Sequence, residues 1–143
     1  MKITGFRLGL LSAPLRVPFR TALREVGHVE DIVVELYTSD GAVGRGEAPP
    51  TAAVTGETLG SIQAALAGHI CPALVGREVS DLEELCSVIS GSIVGNTSAK
   101  AAAEIAVWDL YGQACGLPLY KLLGGGRTAL ETDLTISVNH PET

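Results

Sequence analysis

Residues 98–126, SAKAAAEIAVWDLYGQACGLPLYKLLGGG, constrain this fold more than any other stretch of the chain. An alanine-rich run of this length is helical, because alanine loses the least conformational freedom in a helix. Asn96, Thr97 and Ser98 supply candidate N-cap side chains. Gly116 stands at the natural C-terminal stop, and Pro118 forbids continuation. Ala102, Ile105, Ala106, Asp109, Leu110 and Gln113 recur at spacings of three and four, while Ala101, Ala103 and Gly112 keep the surface small. Neighbours can approach so slim a helix closely, so it reads as buried on several sides. Leu117, Leu119, Tyr120, Leu122 and Leu123 then form a short apolar hook before Gly124-Gly125-Gly126.

The chain before this helix reads as sheet, then helices. Residues 2–11 alternate, with Phe6, Leu8 and Leu10 on one side. Residues 31–39 set Ile32, Val34 and Leu36 against Val33, Glu35 and Tyr37. Asp40-Gly41 is a hairpin turn returning through Ala42-Val43-Gly44. Residues 12–31 hold Pro14 and Pro18 and no stable period, which predicts a long loop of the kind that carries function. Pro49-Pro50 ends the sheet. Thr55 then caps a helix with Leu59, Ile62, Leu66 and Ile70 on its apolar stripe, closed by Cys71-Pro72. Ser80-Asp81-Leu82-Glu83 reads as a capping box opening a second helix, with Leu82, Leu85, Cys86 and Ile89 inward. Three strands followed by three helices make an α+β domain ending near residue 125. Residues 131–138 are strand-like again, with Leu134, Ile136 and Val138 opposed to Thr135 and Ser137.

Charge and cysteine usage narrow the function classes. The 143 residues carry a net charge of −6 and no run of Lys or Arg, so nucleic acid and anionic membrane surfaces are poor partners. No apolar run has transmembrane length and no secretory leader is recognisable, which predicts a cytoplasmic protein. Cys71, Cys86 and Cys115 have no CxxC spacing, against a disulfide framework or structural zinc. His28, His69 and His140 share no metal-ligand spacing. Gly44 and Gly46 lack the third glycine and following helix of a phosphate loop, and read as turn geometry.

Three collinear segments carry a family resemblance. The run from Ala103 to Gly125, A-x-x-A-x-W-D-L-x-G-x-x-x-G-x-P-L-x-x-L-L-G-G, is one. The others are Gly44-Arg45-Gly46-Glu47-Ala48 and the stretch ETDLTIS at residues 131–137. Together they resemble the enolase superfamily, in its muconate-cycloisomerase (mandelate racemase/muconate lactonizing enzyme-like) subgroup. The last segment is similar to the first barrel strand of its dipeptide epimerases. The resemblance implies an N-terminal capping domain over residues 1–125, and the start of a TIM-type (β/α) barrel, its first strand only, over residues 126–143.

The implied function is the N-terminal part of a Mg²⁺-dependent dipeptide epimerase of the L-Ala-D/L-Glu type. In that family a lysine removes an α-proton beside a metal-bound carboxylate and a second lysine returns it. Those lysines and the Mg²⁺ ligands belong to later barrel strands, so no catalytic or metal residue is assigned within the chain. Glu47, Asp109 and Glu131 do not stand at the matching strand ends. The capping domain's expected contribution is substrate binding. Arg24 matches the arginine that pairs with the substrate's glutamyl carboxylate, a task suited to the guanidinium fork. Phe19 is an apolar lid or a loop anchor, and the Thr135 hydroxyl could reach the bound carboxylate. Arg20 and Ser137 are second choices. Trp108 and Asp109 are expected to hold cap to barrel. The implied partners are a dipeptide with an acidic residue and, at full length, further copies of the protein. Other members of the subgroup (a cycloisomerase, a succinylbenzoate synthase or an N-acylamino-acid racemase) and a stand-alone binding or oligomerisation module are the alternatives.

Overall fold

A computed structural model describes residues 1–22, 25–126 and 129–134. Its sheet has three antiparallel strands in the order β1 (Ile3–Arg20), β2 (Glu25–Thr38) and β3 (Val43–Ala48). Leu8 pairs with Val34, Phe6 with Leu36, and Leu36 with Gly44. Directly opposed residues share a face, so the alternating apolar set of each strand faces the helices. The turn between β2 and β3 is closed by the Thr38 N–H donating to the Ala42 carbonyl at 3.1 Å. Gly41 takes the left-handed conformation there, at φ +89°.

The expected loop over residues 12–31 is instead a long hairpin. β1 continues to Arg20 and β2 begins at Glu25. Pro14 and Pro18 do not break β1, because it is an edge strand whose outer N–H groups need no partner. A register shift between Pro14 and Phe19 absorbs the second proline.

Five helical segments follow among the described residues: α1 (Leu59–Ala65), α2 (Cys71–Leu74), α3 (Leu82–Gly91), α4 (Thr97–Cys115) and α5 (Leu119–Leu122). Three boundaries differ from expectation. Thr58, not Thr55, caps α1, in a reciprocal box with Ser61. Thr55 is used in a turn, its N–H donating to the Thr51 carbonyl at 2.8 Å. Cys71-Pro72 does not end the first helix. A π-helical turn (Leu66–Ile70) widens the backbone ahead of the proline, whose missing N–H and bulky ring a regular turn would not accept. The Ser80 capping box is also absent: Asp81 is the N-cap of α3 and makes no side-chain cap bond.

The core runs from Ile3, Val34 and Leu36 through Ile62, Leu66, Ile70 and Leu85 to α4, where Ala102, Ala103, Ala106, Val107 and Leu110 are buried. α4 crosses β3 so closely that a Cβ on Gly44 would overlap the Ala106 carbonyl oxygen, and one on Gly46 that of Ala102. The two glycines are therefore helix-contact positions inside a strand, not turn residues. Gly116 ends α4 in the left-handed region, and Leu117 N–H donates back to the Gly112 carbonyl at 3.1 Å. The start of α4 is not capped locally. Asn96 donates its side-chain N–H to Val94, and Glu57 supplies the cap from 41 residues upstream of Ser98. Its carboxylate accepts from the N–H groups of Ser98 and Ala99 and from the Thr97 hydroxyl, at 3.0–3.3 Å. Residues 129–134 form no strand, and Leu130 and Leu134 are exposed; the remainder of the expected strand over 131–138 lies outside the described residues.

Candidate functional site

The long hairpin and the segment after β3 emerge at the same end of the sheet. The last β2–β3 pair is Ile32 with Ala48, and Pro49-Pro50 then offers no N–H to extend the ladder. β1 and β2 continue alone as a two-stranded ribbon, pairing Ser12 with Glu30, Pro14 with His28, and, beyond the shift, Phe19 with Val26. Leu11, Val17 and Val29 on this ribbon are exposed. Phe19 is half-buried. Arg20 donates to Glu25 at 2.7 Å across the ribbon's end. Arg24, which precedes β2 in the sequence, lies outside the described residues, as do Thr135 and Ser137.

The segment from Pro49 to Gly56 is exposed over most of its length, and Val54 is 73% exposed. Its foot is firm. Glu57 is buried, and its desolvation alone would push its carboxyl upward; the N–H donors of Ser98 and Ala99 outweigh that and hold it below the ordinary carboxylate range. Backbone N–H groups at a helix start are suited to this, since they carry the positive end of the helix dipole.

A second polar cluster ties the three strands together on the face away from the helices. Glu35 accepts from the Tyr37 hydroxyl at 2.7 Å and from Arg45 Nε at 3.0 Å, and pairs with Arg7 at 2.9 Å. The Tyr37 bond, then Arg45, lowers the Glu35 carboxyl, and the same bond raises the Tyr37 phenol. Asp109 and Gln113 close the outer edge of β3. Asp109 accepts from the Arg45 N–H at 2.9 Å, and Gln113 donates to the Val43 carbonyl at 2.9 Å. Asp109 thus makes its hydrogen bonds to Arg45 and Gln113 within this domain. Trp108 is half-buried and packs edge-to-face on Tyr111 with ring centroids 6.0 Å apart.

Burial pushes the Cys71 thiol up to about 12 and raises that of Cys86, the latter with help from Glu104, so neither is a ready nucleophile. Among the described residues no group of three or more His, Cys, Asp or Glu could hold a metal ion, so they do not fit a Mg²⁺ site. No helix among them is long and apolar enough to cross a membrane. The Glu57 cap and the Asp109–Gln113 clasp escape a sequence reading, because each joins residues at least 40 apart with no local motif.

A small antiparallel sheet backed by helices, with a protruding ribbon and an anchored loop at one end, is the architecture of an N-terminal capping domain. The chain belongs to the mandelate racemase / muconate lactonizing enzyme family, whose N-terminal domain matches residues 8–124. It is 51% identical over 142 residues to the L-Ala-D/L-Glu epimerase of Clostridium acetobutylicum, covering 99% of this chain and 40% of that protein. Against the enzyme of the same name from Bacillus subtilis the identity is 46% over 142 residues. The solved substrate-liganded complex of the Bacillus subtilis enzyme superposes with a TM-score of 0.95 over 99% of this chain. A dipeptide epimerase from Cytophaga hutchinsonii, crystallised with Mg and D-Ala-L-Val, gives a TM-score of 0.91 at 30% identity. The chain spans about 40% of the length of these relatives and corresponds to their N-terminal part.

Proposed function

We propose that the whole protein is a Mg²⁺-dependent dipeptide epimerase acting on L-Ala-D/L-Glu-type substrates. In this reading residues 1–125 are its capping domain and residues 126–143 lead into its barrel. The observation that carries the reading is the 51% identity to an L-Ala-D/L-Glu epimerase over 142 residues, against 36% to an L-Lys-D/L-Arg epimerase over the same span. The groups that take and return the α-proton, and the Mg²⁺ ligands, belong to the protein beyond these residues. This chain's share is to bind, orient and shelter the substrate. Arg24 pairs with the acidic side chain of the dipeptide. Phe19 contributes an apolar surface beside it, and Thr135 a hydroxyl to the bound carboxylate. A cytoplasmic homo-oligomer is the expected working form, and the free Cys71, Cys86 and Cys115 suit a reducing compartment.

Steady-state kinetics of full-length Arg24→Ala on matched acidic and apolar dipeptides test the assignment. Removing one partner of a desolvated charge pair costs roughly 2–5 kcal/mol, about 30- to several-thousand-fold in kcat/KM for the acidic substrate. The apolar dipeptide should be little affected, and Arg24→Lys should recover part of the loss. An equal loss on both substrates would assign Arg24 to holding the ribbon instead of the ligand.

A further inference from the structure

We propose that the apolar groove between α4 and α5 seats the continuation of the same polypeptide beyond residue 143. The groove consists of two adjoining hollows, of about 440 and about 360 Å³, which share Ile105 and Leu119. α4 buries Ala102, Ala103, Ala106, Val107 and Leu110 within the domain. Its opposite side is apolar as well: Ala101 and Ile105 are exposed and Trp108 is half-buried. A helix that is apolar all round belongs in an interior, and leaving one side in water is unfavourable. After the stop at Gly116 and Pro118 the chain lays α5 alongside, so that Leu119 and Leu123 wall the groove opposite Ile105 and Trp108.

Ile105, Leu117 and Leu123 stand 49%, 47% and 65% exposed along this groove, and a continuous solvated apolar surface marks a place of interaction. Arg45, Asp109 and Gln113 give it a polar rim, and Trp108 lies in its apolar part, the make-up of a protein interface. The groove's position along the chain names the occupant. Leu123 leads directly into Gly124-Gly125-Gly126, so whatever follows is held beside the groove by covalent connection. Leu130 and Leu134 carry the same uncovered apolar series downstream. The chain matches 40% of the Clostridium enzyme, so the larger part of that relative lies outside the match. A connected segment meets the groove at an effective concentration in the millimolar range, which a second copy at micromolar concentration does not reach. The inference rests on the reading of these residues as the capping domain of a longer chain, and not on the choice of substrate. The Arg24 kinetics and the experiment below therefore fail independently.

Hydroxyl-radical footprinting of the full-length wild-type protein reads the cover directly, each residue's oxidation in the native protein being taken against the urea-unfolded one. Val107, buried on the inner side of α4, and Val94, 95% exposed just before α4, set the two limits. Ile105, Trp108 and Leu123 should fall to the level of Val107 and stay there over about a hundredfold dilution. Oxidation at the level of Val94 means a groove open to water and overturns the proposal. Protection lost on dilution assigns the groove to a second copy and overturns it too. Photo-crosslinking of full-length Ile105→p-benzoylphenylalanine and, separately, Leu123→p-benzoylphenylalanine identifies the occupant. An adduct at the mass of one chain, with its acceptor peptide beyond residue 143, is the expected result. An adduct at the mass of two chains, or acceptors confined to residues 1–143, would overturn the assignment.

Discussion

The seam between β3 and α4 and the free half of the β1–β2 hairpin are both built on extended strand, yet they obey opposite rules. At the seam Gly44 and Gly46 meet the backbone of Ala102 and Ala106 with no room for a methyl group. On the ribbon Leu11, Val17 and Val29 stand open to solvent. Close packing makes the seam intolerant of change, because protein interiors cannot absorb extra volume without moving backbone. The ribbon has few buried contacts to lose, so its residues can vary without unfolding the domain. The difference separates a frame that must not move from a surface free to be shaped for a ligand.

The contrast is broken most directly at the seam. Gly46→Val should cost more than about 4 kcal/mol and leave little folded full-length protein, as circular dichroism and soluble yield would register. A cooperative unfolding transition within about 1 kcal/mol of wild type would mean that α4 and β3 can separate cheaply.

Glu57→Ala should come next, at about 2–3 kcal/mol, since charge-assisted hydrogen bonds at a helix start are lost and their donors left unmet. Its pH dependence has a definite sign. The Glu57 carboxyl is lowered in the folded state. Its contribution is therefore complete above the unfolded value near 4.3, and is lost as pH falls through the depressed folded value. Denaturant titrations of Glu57→Gln between pH 7 and pH 3 should show a shallower acid-side decline than wild type; parallel curves would remove the charge from the account.

Asp109→Ala should cost about 1 kcal/mol, one hydrogen bond to the edge of β3. Double-mutant cycles with Gln113→Ala should reveal coupling, because the Gln113 side chain also donates to Asp109 at 3.2 Å. Strict additivity would dissolve the clasp into two separate contacts.

The smallest effect belongs to the ribbon. Val17→Ser should change stability by less than about 0.5 kcal/mol. A loss comparable to that of Glu57→Ala would show that the ribbon is part of the frame.

The sheet, α4 and its glycine stop were legible because each depends on residues within a few positions of one another. Alternation marked β2, and Gly116 with Pro118 marked the end of α4. What escaped depends on topology. Proline is tolerated in β1 only because that strand lies at the sheet's edge, and no local pattern says so. Gly44 and Gly46 look like turn residues until a helix is laid across them. Thr55 and Thr58 are equally good caps by type, and the choice fell to the one with Ser61 three residues on. Of the candidate site, Phe19 stands on the ribbon near its turn, while Arg24 and Thr135 lie outside the described residues.

The Glu57 anchor also bears on how such a domain can diversify. The segment from Pro49 to Gly56 is fastened at one end by the Ala48–Ile32 pair and at the other by a carboxylate seated on a helix start. Neither fastening involves the residues between them. Lengthening a loop whose ends are fixed adds only about 0.6 kcal/mol of closure entropy per doubling. The intervening residues can therefore be inserted, deleted or exchanged as a cassette, with the register of β3 and the seating of α4 left as they are. Glu57 makes that stretch a replaceable part, so variants with altered recognition can be sampled without first passing through an unfolded intermediate sequence.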